Sequence, residues 1–367
     1  MRCLPLRSNE SATCRCPIMF RVSTADHRLT RSTMYLEHAQ DVLGQWLDWR
    51  SKSKAALVIV TATAGGAVRM PGALMAVSAS GDRCGYISGG CIDADVAHHA
   101  RQALSTGRIK RLRYGKGSPF IDLPLPCGGA IDVCVLPNAQ ASVLRACHDQ
   151  LASRQPVTIT LSDSGSLGLG HLPTPGALSF QYMPKLRLRI AGRGADSLAL
   201  SRLATASGIH TELQLRDAAE AQDAHRLGIG HVTLLTVPSA LPKLDDDPWT
   251  AFLLAFHDVD WEETLLAQVL KGPAFYIGAI GSQATHARRC ERLQSIGFTE
   301  HRIRGPVGLI PSMRDASSLA VSVLAEIVEA YQRKVRSPLS STALALLADM
   351  PNVPDTHLLQ SSSCTNA

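Results

Sequence analysis

The sequence predicts an α/β protein, with an N-terminal α/β domain followed by a Rossmann-like domain built on a doubly wound parallel sheet. Short apolar runs alternate with amphipathic helical segments from about residue 36 to residue 333. Glycine turns stand where apolar runs give way to helices, and the second half repeats strand and helix in the order a doubly wound sheet requires. At 367 residues and 45% hydrophobic content, the chain has enough apolar material for two cores.

In residues 35–49 the apolar positions Leu36, Ala39, Leu43, Trp46 and Leu47 recur at helical spacing, which predicts an amphipathic first helix. Residues 55–62 read as a buried strand. Gly65, Gly66 and the turn Met70-Pro71-Gly72 then lead into a strand at 73–79, closed by a hairpin turn at Ser80-Gly81-Asp82. The strand after that turn is expected to run to Gly89-Gly90-Cys91. A helix follows at 92–104 and ends at Ser105-Thr106-Gly107, where glycine can take the left-handed cap conformation. A basic strand at 108–114 and a loop at 115–126 precede Cys127-Gly128-Gly129 and a strand at 131–136. Residues 138–153 read as a helix, and strands at 157–161 and 178–182 flank a loop at 162–175.

Pro184 marks the expected linker, which gives domains at 35–183 and 184–336. Beyond it, strands are expected at 186–191, 211–215, 232–237, 250–256 and 274–280, with helices in most of the gaps. The closing helix at 317–333 carries Leu319, Val323, Ile327 and Ala330 on one face. Residues 1–34 read as a disordered extension and 337–367 as a flexible tail.

The net charge of +6 is modest, and the basic residues are interspersed with acidic ones, so nucleic acid is not an expected partner. No apolar run approaches the roughly 20 residues that cross a bilayer, which argues against a membrane protein. The N-terminal arginines Arg2, Arg7, Arg15, Arg21, Arg28 and Arg31 are not followed by a continuous apolar segment, so a cytoplasmic location is expected. The ten cysteines form no CxxC pair and are expected as thiols. Cys3, Cys14, Cys16 and Cys364 fall in the two ends, whereas Cys84, Cys134, Cys147 and Cys290 sit in apolar or helical patterns as small core residues.

Cys91 and Cys127 differ from the rest. Ser88-Gly89-Gly90-Cys91-Ile92-Asp93 and Leu125-Pro126-Cys127-Gly128-Gly129-Ala130-Ile131-Asp132 each set a cysteine against two glycines at the end of an element. Glycine lets a ligand approach the backbone, and a helix N-terminus favours an anion such as thiolate. Thiolate is a soft ligand, suited to a transition metal or a sulfur-rich cofactor; a zinc site would need more ligands at closer spacing.

Gly192-Arg193-Gly194-Ala195-Asp196-Ser197 follows a strand and opens a helix, as a phosphate-binding turn does. It is an imperfect GxGxxG, and the acid expected after the next strand is displaced to Asp217, beside Arg216. Phosphate or nucleotide binding and simple strand-to-helix packing both remain open here. A second turn, Gly278-Ala279-Ile280-Gly281-Ser282, enters a helix bearing His286, Arg288 and Arg289, where the arginines are expected on a solvated face. A cysteine nucleophile at position 91 or 127, with His98, His99 or His257 and Asp258 as base, is a further reading. No GxSxG supports a serine hydrolase.

In their order, Met70-Pro71-Gly72-Ala73, Ser88-Gly89-Gly90-Cys91 and Leu125-Pro126-Cys127-Gly128-Gly129 make the first half resemble the XdhC/CoxI family of xanthine dehydrogenase accessory proteins. The second half resembles that family's Rossmann-like domain. The segments that carry this are Phe256-His257-Asp258-Val259-Asp260-Trp261, Tyr276-Ile277-Gly278-Ala279-Ile280-Gly281-Ser282, Gly305-Pro306-Val307-Gly308-Leu309-Ile310-Pro311-Ser312 and Leu324-Ala325-Glu326-Ile327.

The resemblance implies a chaperone, with no turnover of its own, that binds molybdenum cofactor (molybdopterin) and hands it to xanthine dehydrogenase or a related molybdenum hydroxylase. It also implies contact with a cysteine desulfurase, and a homodimer. On that reading Cys91 and Cys127, with Gly89, Gly90, Gly128 and Gly129, line the molybdenum end, while Gly192, Gly194, Gly278, Gly281 and Ser282 shape a phosphate or nucleotide end. The family's first glycine turn commonly reads GAGHVA, and Arg193, Asp196 and Ser197 depart from it, which weakens an NAD(P) site. Two alternatives stand beside the chaperone: an NAD(P)-dependent oxidoreductase using the Rossmann-like half, and an adaptor that recruits partners without holding the cofactor.

Overall fold

The first long strand shows how the N-terminal half is layered. In β1 (Ala55–Ala64), Ala55, Leu57 and Ile59 pack into one core while Ala56, Val58 and Val60 pack into another, because successive side chains leave opposite faces of a strand. The computed structural model describes residues 36–66, 69–119, 125–171, 175–256, 258–298 and 302–336. The expected N-terminal extension and C-terminal tail lie outside them, as does His257.

β1 is the middle of a five-stranded antiparallel sheet with β2 (Leu74–Ser78), β3 (Arg83–Gly85), β4 (Lys110–Gly115) and β5 (Ala130–Leu136), in the order β3-β2-β1-β5-β4. Helix α1 (Ala39–Lys52) and helix α3 (Ala141–Ala152) cover one face, together with a three-stranded sheet of β6 (Val157–Leu161), β7 (Leu167–Leu169) and β8 (Leu178–Tyr182). Helix α2 (Asp93–Thr106) covers the other face. Gly107 ends α2 in the left-handed conformation, φ 70°, its amide donating to Ala103 O, as the sequence predicts.

Two expectations fail here. The strand expected to reach Cys91 stops at Gly85, where φ is +87° and a Cβ would fall 2.3 Å from Leu74 O. The residues from 86 to 92 instead form a loop. The segment 162–175, expected as loop throughout, contains β7, which pairs with β6 from Ile159↔Leu169 to Leu161↔Leu167.

The second half is a six-stranded parallel sheet of β9 (Arg187–Gly192), β10 (His210–Leu215), β11 (His231–Leu234), β12 (Thr250–Ala255), β13 (Tyr276–Ala279) and β14 (Ile303–Arg304). Its order is β11-β10-β9-β12-β13-β14, the Rossmann arrangement in which direction reverses between the first and fourth strands. Helices α4 (Gly194–Ala206), α5 (Ala218–Arg226) and α8 (Ala316–Arg336) bury one face; α6 (Val259–Leu270) and α7 (Gln283–Ser295) bury the other.

The halves meet at the N-terminal edge of this parallel sheet. Arg154 donates to both carboxylate oxygens of Asp247, at 2.6 and 3.1 Å, and to Lys185 O at 2.6 Å. Lys185 reaches Asp41 at 2.5 Å, and Tyr331 donates to Pro184 O at 2.6 Å. His38 accepts the Gln40 amide at Nδ1, capping α1, while its Nε2 lies 2.9 Å from Met183 O.

Candidate functional site

β1 is buried for six residues and then alternates between partly buried and exposed from Thr61 to Ala64, so its last turns project beyond the core. At this end β1 finishes, β5 begins and β4 finishes, since Ala64 and Gly115 both pair with Ala130. β3 also runs toward it, because Gly85 pairs with Met75 near the start of β2. The segments that carry Cys91 and Cys127 therefore leave the same end of one sheet.

The Cys91 loop is wound around a buried carboxylate. Asp93, only 3% exposed, accepts the Ile87 amide at 2.9 Å, the Gly90 amide at 3.1 Å and the Ser88 hydroxyl. Ser88 Oγ in turn accepts the Gly90 amide at 3.0 Å and the Ile92 amide at 3.4 Å. Ile87 and Ile92 are buried on either side, so the loop is pinned at both ends while Cys91 itself is exposed at the N-terminus of α2. Gly90 has φ +104°, and no atom lies within 4 Å of where a Cβ would stand.

Cys127 sits on a proline turn. The Gly128 amide donates to Leu125 O at 2.9 Å, which makes Pro126 and Cys127 the central residues, with Pro126 fixing φ at the first of them. Leu125 and Ile131 are buried in the same core as Ile87 and Ile92, and Cys127 is exposed. The turn rests on glycine. A Cβ on Gly115 would fall 2.0 Å from Gly129 O, one on Gly65 3.1 Å from Gly129 Cα, and one on Gly66 3.6 Å from Cys127 Cβ. Gly128, at φ +67°, faces open space. β4, which pairs with the start of β5 just after the Cys127 turn, is tied to α2 through Tyr114, whose hydroxyl donates to Asp95 in the first turn of that helix at 2.5 Å. Burial, and then the Asp95 carboxylate, raise the Tyr114 phenol well above its ordinary range.

The other cysteines contrast with this pair. Cys84, Cys134 and Cys147 are buried as expected, and burial lifts the Cys84 thiol to about 11 and the Cys147 thiol to about 12. Cys290 is not a core residue: it is half-buried on α7, with its Sγ 3.7 Å from His286 Nε2. Burial, then the Arg289 charge, lower the His286 imidazole. Among the described residues no group of three or more His, Cys, Asp or Glu side chains converges as a metal site.

The glycine turns of the second half lie elsewhere. Gly192 ends β9, pairing with Ala255 at the end of β12, so the Gly192-Arg193-Gly194 turn faces the crevice at the strand-order reversal. A cavity of about 650 Å³ opens there, lined by Arg193, Gly194, Ala195, Asp196, Ala255 and Asp258. Gly192 is a packing glycine, since a Cβ would fall 2.2 Å from Ser197 Oγ and 2.7 Å from Ala255 Cβ. The amide of Gly194, which a phosphate would take, donates to Glu220 Oε1 at 3.1 Å. Asp217 accepts the Ala219 and Glu220 amides as the cap of α5, and Arg216 pairs with Asp258 at 2.9 Å.

These residues do not fit a dinucleotide: the phosphate position is filled and the ribose acid is spent on a cap. Gly278 makes room for Tyr276 and Val307, Ser282 caps α7 by accepting the Thr285 amide at 3.1 Å, and Gly281 packs against Thr285. Gly278, Gly281 and Ser282 thus have local structural work in shaping this turn.

Residues 48–115 match the XdhC and CoxI family, and residues 188–327 match the XdhC Rossmann domain. The chain is 35% identical over 283 residues to the molybdenum cofactor insertion chaperone PaoD of Escherichia coli strain K12, covering 74% of this chain and 82% of that protein. The chain belongs to the XdhC and CoxI family. It is also 25% identical over 318 residues to a Bacillus subtilis strain 168 protein described as a probable xanthine dehydrogenase subunit, covering 77% of this chain and 94% of that one. A Bacillus halodurans crystal structure described as a xanthine dehydrogenase shares the fold, with TM-score 0.68 and 21% identity over 84% of this chain and 99% of that one. Among the described residues no helix is long and apolar enough to cross a membrane.

The contacts between the halves gather at the N-terminal edge of the parallel sheet, and the crevice opens at its opposite edge, six residues of strand away, roughly 20 Å at about 3.3 Å per residue. One sequence expectation needs correction. Arg289, expected on a solvated face with Arg288, is 1% exposed and grips Glu262 at 3.0 and 3.2 Å, while Arg288 is exposed. Ser88 and Asp93 belong to the Cys91 motif, but the sequence alone assigns them no role. Their signal is the serine and aspartate bracketing Gly89-Gly90-Cys91-Ile92, which closes a loop on itself.

Proposed function

We propose that this chain is an accessory chaperone that holds molybdenum cofactor as cargo at the Cys91 and Cys127 end of its antiparallel sheet, and delivers it to a xanthine dehydrogenase-type molybdenum hydroxylase. One observation carries the reading: two exposed thiols stand on two rigidly anchored glycine turns at the same end of one sheet. The name of the relative PaoD, a molybdenum cofactor insertion chaperone, supports it. The cargo presents a soft, sulfur-rich metal end, which thiolates suit better than oxygen ligands do. Two thiols fill less of a metal's coordination sphere than the four-ligand sets of structural sites, and a cargo that must leave calls for such partial coordination.

Gly90 and Gly128 keep side-chain bulk away from the approach to each thiol, and Asp93 and Pro126 fix the two loops so that neither must be ordered on binding. The reading includes a homodimer and contact with a cysteine desulfurase, both implied by the family resemblance. Protein purified from a host that makes the cofactor is expected to carry molybdenum and pterin, measured by elemental analysis and pterin fluorescence. Cys127→Ala and Cys91→Ala are each expected to lower that occupancy without changing the circular dichroism spectrum. A wild-type protein with no affinity for the cofactor refutes the proposal.

A further inference from the structure

We infer that Glu220 is an internal competitor for the Rossmann crevice: its carboxylate stands in the diphosphate position and keeps dinucleotides and related diphosphates out. The strand order and the turn Gly192-Arg193-Gly194 build the place where a Rossmann fold seats a pyrophosphate on the first amides of the following helix. Gly194 opens α4 with φ +71° and with no atom within 4 Å of a Cβ, so its backbone has the form such a site needs. Its amide is nevertheless already engaged, donating at 3.1 Å to Glu220 Oε1 in the first turn of α5, in the cleft beside the crevice.

The carboxylate is poorly satisfied in this position. Glu220 Oε2 is buried and has no hydrogen-bond partner, although a buried acceptor of this kind ordinarily finds one. Nothing in the local fold of α5 requires the contact, since Asp217 already caps that helix through the Ala219 and Glu220 amides. The surrounding charges act in the same direction. The two clefts at this point are lined by the acids Asp196, Asp217, Glu220 and Asp258 against the bases Arg193 and Arg216, and Arg216 is held by Asp258 at 2.9 Å. A diphosphate entering here meets an anion at its own position and a net acidic rim.

The test uses the full-length protein and two probes, NAD⁺ and inorganic pyrophosphate, titrated calorimetrically into wild type, Glu220→Gln and Glu220→Ala. Alanine suits the helix, and unchanged circular dichroism and melting temperature establish that the fold is kept. Glu220→Ala is expected to bind both probes at least tenfold more tightly than wild type. Glu220→Gln falls between them, because its amide oxygen can still accept from Gly194 without the charge. If Glu220→Ala shows no gain over wild type, whether both bind or neither does, the carboxylate is not a competitor and the inference is overturned. The outcome is independent of the cysteine turns, so it leaves the cofactor proposal standing or falling on its own experiment.

Discussion

Replacing Asp93 with alanine should loosen the Cys91 loop and cost the protein a measurable part of its stability. The carboxylate accepts from the Ile87 amide at 2.9 Å, the Gly90 amide at 3.1 Å and the Ser88 hydroxyl. The Gly90 amide keeps Ser88 Oγ and lies on an exposed residue, where water can replace the lost acceptor. The Ile87 amide and the Ser88 hydroxyl belong to buried residues and lose a charged acceptor. Hydrogen bonds to charged groups are worth about 1.5–3 kcal/mol each, so Asp93→Ala should cost about 3–6 kcal/mol, and Asp93→Asn, which keeps one acceptor oxygen, about half that. Urea unfolding reads the stability, and the alkylation rate of Cys91, followed by peptide mass spectrometry, reads the loop. A loss below about 1 kcal/mol with an unchanged Cys91 rate would refute the role given to the carboxylate.

Gly115→Ala puts a Cβ 2.0 Å from Gly129 O at a residue with φ +82°, so strain of about 2 kcal/mol should lower the melting temperature by roughly 4–8 °C. The same variant should change the alkylation rate of Cys127 and leave that of buried Cys147 alone. Arg289→Leu strands the buried Glu262 carboxylate on Arg292 alone and should cost about 3 kcal/mol in urea unfolding, whereas exposed Arg288→Leu should stay within about 0.5 kcal/mol. Burial, then the Lys185 charge, hold the His38 imidazole down to about 4 from 6.5. Since the fold prefers the neutral ring, its contribution is complete above pH 6.5 and is lost as pH falls from there toward 4. Melting temperatures between pH 7.5 and 4.5 should fall more steeply for wild type than for His38→Asn, which keeps a capping acceptor; parallel slopes would contradict this.

Much of the fold was legible because its signals are local. Short apolar runs located β1, β9 and β12, the helical apolar spacing located α8, and Gly107 marked the end of α2 as a left-handed cap. What escaped depended on partners distant in sequence. β7 is three residues long, too short for any periodicity, and exists because β6 supplies its hydrogen bonds. Arg289 has the local appearance of a surface arginine and is buried only because Glu262, 27 residues earlier, meets it in the core. Glu220 looks like an ordinary first-turn acid of α5 until the sheet brings the Gly194 amide, 26 residues earlier, against it. The cysteine motifs could be singled out from their glycines, but the buried Asp93 that shapes one of them resembles any acid at a helix start.

The proposed delivery role requires Cys91 and Cys127 to engage one cargo together. Quantitative alkylation of the cofactor-free and cofactor-loaded protein, mapped by peptide mass spectrometry, tests this directly. Loading is expected to slow modification of both Cys91 and Cys127 by a common factor while leaving Cys84, Cys134 and Cys147 unchanged. Loaded protein in which either exposed thiol is alkylated as fast as in the empty form would contradict a shared site.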